Sequence, residues 1–196
     1  MTTDVDEQTG AARPEVRPRR HRWIIEWAVV LIVALGLAVG LRTWVIQTYS
    51  IPSGSMEPTL MIGDRILVDK LSYDFHPVHR GDVIVFATPP KEIPLLQVND
   101  LVKRVIGLPG ETISSGPHGE VLINGKVIDQ PWLTAGARAD PGPPIRTQRI
   151  PRGDVFVMGD NRGSSDDSRA YGPVSESLIV GRAVLGFWPL SRIHLL

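Results

Sequence analysis

The stretch IPSGSMEPTL, residues 51–60, separates two kinds of sequence. An apolar run of membrane length lies before it, and short runs of strand-forming residues punctuated by turn signals follow. Pro52 and Pro58 each remove a backbone donor, so the stretch can form neither a regular helix nor a central strand. Ser53 and Ser55 are therefore hydroxyls on a stiff, exposed loop, and that setting makes Ser55 a candidate nucleophile.

Working toward the N-terminus, residues 23–46 are almost wholly apolar, interrupted by Glu26 near one end and by Arg42 and Thr43 near the other. About 20 helical residues at 1.5 Å each cross the ~30 Å hydrocarbon core of a bilayer. Trp23, Trp27 and Trp44 lie near the two ends, where indoles favour the headgroup level. Ala38-Val39-Gly40 has the small-x-small form of a signal-peptide cleavage site. The apolar run nevertheless continues past it to Ile46, which favours a retained single transmembrane helix. Residues 1–22 are polar, rich in Pro and Arg and without apolar period, and read as a disordered tail. Five arginines, Arg13, Arg17, Arg19, Arg20 and Arg22, precede the run, against Arg42 alone between it and Arg65. That asymmetry predicts a cytoplasmic N-terminus and an extracytoplasmic domain over residues 47–196.

Working toward the C-terminus, the signals are those of strands. Asp64 to Asp69 alternates, Val83 to Phe86 is continuously apolar, and Glu120 to Ile128 carries Asn124-Gly125, a type I′ hairpin signal. Val155 to Met158 and Leu178 to Leu185 read as further strands. Ala135 to Arg149, with three prolines and two glycines, reads as a surface loop between strands. The fold class is mainly β behind one N-terminal helix, in a chain of 196 residues.

Composition removes several chemistries. Twenty-one basic residues balance 21 acidic ones, so no basic field marks a nucleic-acid partner. The absence of cysteine excludes disulfides, thiolate metal sites and a cysteine nucleophile. The five histidines are scattered, and His76 and His79, flanking Pro77, read as loop residues rather than metal ligands. Neither a metal nor another cofactor is expected.

Two further segments bear on Ser55. If Leu101 to Ile106 is a strand, alternation places Lys103 on one face with Leu101 and Val105. Lysines on half-buried strands usually snorkel the ammonium to water; if Lys103 is instead buried, the charged amine is disfavoured, and a neutral amine near pH 7 can take a proton from a serine. Gly159 to Gly172, GDNRGSSDDSRAYG, lacks the EF-hand order, and Arg162 and Arg169 would repel a cation. It reads as an internally paired loop in which Asp160, Asp167, Arg162 and Arg169 neutralise one another and aim Ser165 at the lysine. A hydroxyl suits that position, because a carboxylate would raise the amine's pKa.

SGSMEPT at Ser53 to Thr59, GDVIVF at Gly81 to Phe86, KRVIGLPGE at Lys103 to Glu111 and GDNRGSSDDSR at Gly159 to Arg169 resemble, in order, the blocks of bacterial type I signal peptidases. The resemblance implies a mostly antiparallel β fold and a membrane-anchored, monomeric serine endopeptidase that removes signal peptides from exported preproteins at the bilayer surface. By position it implies Ser55 as nucleophile, Lys103 as general base, Ser165 as the residue orienting that lysine, and Ser53 with the Ser55 amide as oxyanion donors. It also implies that Ile51, Pro52, Met56, Leu60, Leu101 and Val102 line shallow pockets for small side chains. Gly163 and Ser164 stand where Asp and Asn are frequent in the family. An anchored binding module would explain the helix and strands but not the serine, lysine and polar loop together. A related self-cleaving repressor would need a DNA-binding domain for which the N-terminal arm has no room.

Overall fold

The computed structural model describes residues 22–90 and 98–196. The tail expected to be disordered lies outside the described residues except for Arg22, the first residue of a helix, Arg22–Trp44. Twenty-three residues give this helix a length of about 35 Å. Over residues 23–39 every side chain is exposed, Leu31 and Ile32 among them. A soluble helix would hide one stripe of such residues, and this one is apolar all round, as a bilayer-spanning segment must be. It ends at Trp44, short of the expected Ile46, which instead opens the first strand. Helix and strand compete for those residues, and backbone pairing with a later strand settles the boundary.

The rest of the chain forms two antiparallel sheets. The larger has eight strands: β1 (Ile46–Ser50), β2 (Arg65–Asp69), β3 (Val83–Ala87), β4 (Asp100–Gly107), β9 (Asp154–Met158), β10 (Val174–Ser175), β11 (Ile179–Trp188) and β12 (His194–Leu195). Their spatial order is β1-β2-β11-β3-β4-β9-β10, with β12 on β11. The smaller sheet has the order β7-β6-β5-β8, from β5 (Thr112–Ser115), β6 (Val121–Ile123), β7 (Lys126–Val127) and β8 (Gln148–Arg149). Asn124 and Gly125 turn the β6–β7 hairpin with φ of 51° and 77°, the paired positive angles of a type I′ turn. Residues 135–149 are less irregular than expected: Ala135–Ala139 is a short helix capped by the Thr134 hydroxyl, and Gln148 and Arg149 pair with β5.

Three apolar clusters form the core. Ile51, Met56, Leu60, Ile66, Val68, Val83, Val85 and Ala183 pack together under the 51–60 loop. Ile84, Phe86, Val105, Val155 and Val157 form a second cluster, and Ile106, Ile113, Phe156 and Met158 join the two sheets in a third. Val83 to Phe86 is fully buried, which explains a continuous rather than alternating apolar run.

Candidate active site

The 51–60 loop joins β1 to β2 and is tied at its base by Ile51 N–H to Asp64 O, 2.9 Å, and Gly63 N–H to Ile51 O, 2.8 Å. At its centre Gly54–Met56 makes a single 3₁₀ turn that buries Met56 and lifts Ser55. Ser53 precedes the turn in extended conformation, and its hydroxyl makes no cap bond. It lies instead 3.5 Å from Ser55 Oγ.

Lys103 reaches the same point from the middle of β4, where it pairs with Ile84. Its Nζ donates to Ser55 Oγ over 2.6 Å, and the side chain is 3% exposed. Burial pushes the amine down to about 8 from 10.5, against the opposing pull of Asp167 and Asp166. The third segment arrives by register. Met158 at the end of β9 pairs with Arg104, so the loop beginning at Gly159 starts beside the lysine. A Cβ on Gly159 would lie 2.3 Å from both Ser165 Oγ and Ser55 O, so only glycine fits there.

This loop is clamped differently from the expected four-residue neutralisation. Asp167 pairs with Arg169, one of the four, at 2.8 Å, and it also accepts from Gly159 N–H at 3.0 Å. Asp160 pairs instead with Arg104 of β4 at 2.7 Å and accepts from the Thr59 hydroxyl at 2.6 Å. Among the described residues Arg162 pairs with no carboxylate; it donates to Gly159 O and to the Gln130 side chain. The register explains the Asp160 partner: Arg104 lies opposite Met158, two residues before Asp160. Burial lowers the Arg162 guanidinium to about 10, leaving it charged at neutral pH. Burial alone would raise the Asp167 carboxyl, but the bonds from Arg169 and Gly159 hold it below the ordinary value.

Ser165 does not hydrogen-bond Lys103. Its hydroxyl is buried, packs over the Gly159 backbone and is without a hydrogen-bond partner among the described residues. A cavity of about 400 Å³ opens onto the pair. Of the six expected pocket residues, Ile51, Pro52, Met56, Leu101 and Val102 line it. Leu60 does not: it is fully buried against Ile66 and Val68, held inward by its N–H bond to Met56 O. Arg104, Thr59, Gly159 and Asn161 support the site without having been singled out from sequence. For Arg104 the signal was available, since a second charge on an apolar strand poses the same question as Lys103.

A buried amine in contact with a loop serine beside an apolar cleft is an arrangement suited to a serine hydrolase. The model of the family described as signal peptidase, peptidase S26, matches residues 24–188, and the chain belongs to this family, as a serine endopeptidase of the bacterial type I group. It is 36% identical over 197 residues to a protein described as probable signal peptidase I-2 of Synechocystis sp., covering 100% of this chain and 86% of that one. It is 40% identical over 192 residues to the signal peptidase I of Leptolyngbya laminosa, covering 95% and 91%. A crystal structure of a signal peptidase I from Enterococcus faecalis V583 is similar with a TM-score of 0.44 at 29% identity, over 55% of this chain and 97% of that one.

Proposed function

We propose that this chain removes signal peptides from exported preproteins with a Ser55/Lys103 dyad, anchored in the membrane by the helix Arg22–Trp44. The observation that carries the reading is the 2.6 Å separation of a nearly dry amine and the Ser55 hydroxyl. In the neutral form Lys103 accepts the Ser55 proton as Oγ bonds to the last carbonyl carbon of the signal peptide. The oxyanion is met by the Ser55 amide and the Ser53 hydroxyl, donors worth about 2.7–4 kcal/mol each in such sites. The C–N bond then breaks, and Lys103 passes its proton to the leaving amine. Lys103 next activates water, which hydrolyses the acyl-enzyme. Ser165, whose buried hydroxyl has no hydrogen-bond partner among the described residues, is assigned here to receive the lysine when its bond to Ser55 is given up.

The cleft walls of Ile51, Pro52, Met56, Leu101 and Val102 support small side chains at the first and third positions before the cut. The arginines preceding the helix support a cytoplasmic N-terminus, with residues 47–196 outside as the catalytic domain. The decisive assay offers purified full-length protein a peptide whose signal ends in Ala-x-Ala. Cleavage is expected from the wild type and is expected to vanish in Ser55→Ala and in Lys103→Met, with both variants folded. Normal cleavage by either variant overturns the mechanism.

A further inference from the structure

Asn161 grips both carbonyls that flank the amide of the nucleophile. Its side-chain Nδ2 donates to Gly54 O over 3.0 Å, and its own N–H donates to Ser55 O over 3.1 Å. The amide nitrogen must be the atom facing Gly54 O, since the amide oxygen there would set acceptor against acceptor. Gly54 O also accepts from Glu57 N–H at 3.1 Å, so two donors fix it.

Fixing that carbonyl fixes more than the carbonyl. Across a trans peptide the C=O of one residue and the N–H of the next point in opposite directions within one plane. Holding Gly54 O toward Asn161 therefore aims the Ser55 N–H away from Asn161. The 3₁₀ turn itself leaves that N–H unused, because Ser55 lies within its first residues. Asn161 is anchored in turn: its carbonyl accepts from Ser164 N–H at 3.0 Å, and its neighbour Asp160 is tied to Arg104 and Thr59.

We infer that Asn161 is a positioning residue for the oxyanion site, holding the Gly54–Ser55 peptide plane so that the Ser55 N–H meets the developing charge. The inference rests on the Ser55 nucleophile proposed above. It assigns Asn161 no contact with substrate and no part in proton transfer, and so separates its action from that of Lys103 on the same serine. Misdirecting one donor is expected to cost less than deleting it, since Glu57 N–H still holds Gly54 O.

The test measures kcat and KM of the full-length protein in detergent micelles, on an Ala-x-Ala peptide, across pH. In Asn161→Ala, kcat is expected to fall about 10- to 100-fold, with KM within about twofold of wild type, as for an interaction realised only in the transition state. The midpoint of the pH profile is expected to stay where it is, because the amine is untouched. Asn161→Asp keeps the shape and the backbone N–H bond but turns the side-chain donor into an acceptor. On the alkaline plateau its kcat is expected to fall at least as far. Wild-type kcat in Asn161→Asp overturns the inference, even if Asn161→Ala does not fold. A loss carried by KM, or accompanied by a shifted midpoint in Asn161→Ala, also overturns it. Ser55→Ala, run in parallel, separates the failures: cleavage by that variant sinks the nucleophile, whereas its inactivity beside a fully active Asn161→Asp sinks only the role of Asn161.

Discussion

A lysine that is 3% exposed is an unfavourable feature, and the proposed mechanism gives it a use. Its folded-state pKa of about 8 lies below the ordinary 10.5, so at pH 7 about a tenth of the molecules carry the neutral amine. Cleavage by wild type is therefore expected to rise with the loss of one proton through about pH 8, read as kcat/KM against pH. Stability should follow the same group with a definite sign. Below about 8 both folded and unfolded chains hold the proton; between about 8 and 10.5 the unfolded chain binds one that the folded chain has released, so stability rises with pH. Lys103→Met removes that slope and is expected to stabilise the protein at pH 7 by up to roughly 3 kcal/mol while ending its activity, as measured by urea unfolding. Gly159 carries the opposite demand, for emptiness. Gly159→Ala forces a methyl against Ser165 and Ser55, and its kcat/KM on the Ala-x-Ala peptide is expected to fall by about 100-fold, the scale of a 1 Å misplacement.

At the scale of elements, the loop after β9 is held by two buried ion pairs with different partners. Removing one member of such a pair leaves the other charge uncompensated, so Asp160→Ala is expected to cost about 3–5 kcal/mol in urea unfolding, since Arg104 has no other carboxylate beside it. The Asp167 pairing adds stability that is present above its unfolded pKa of about 3.8 and lost as pH falls through its lower folded value. These elements also divide what was legible in the sequence from what was not. The Asn124-Gly125 hairpin was legible because it breaks a local pattern in a way that one turn geometry satisfies, whereas Ser55 and Lys103 were picked out only by considering several segments together. The Arg104–Asp160 pair spans 56 positions and exists only because β4 and β9 are neighbours, a fact that no local pattern carries. β1, β5, β8, β10 and β12 were missed for the same reason: they are strands of two to five residues whose pairing defines them. Leu60 was misassigned because spacing from Ser55 does not say which way a turn faces. Asn161 looked like one more polar residue in a polar loop, and its role is visible only when the 54–55 peptide is beside it.

At the scale of the molecule, a helix with no buried face precedes a domain whose first strand begins at Ile46. A variant lacking residues 1–44 keeps β1 and the Lys70 N–H bond to Val45 O. It is expected to cleave a short soluble peptide at close to the full-length rate but to process a membrane-inserted preprotein more slowly, because tethering supplies the effective concentration. Comparing the two substrates at equal enzyme concentration checks this, and equal loss on both would deny the anchor its role. The strand order has a consequence of another kind. β11, made among the last twenty residues, lies between β2 and β3, which are made in the first ninety. A chain still emerging from the ribosome thus has a gap through the middle of its sheet, and the residues that grip the serine turn come only after position 158. The serine turn can therefore take its final setting only after both β11 and the loop beyond β9 have left the ribosome.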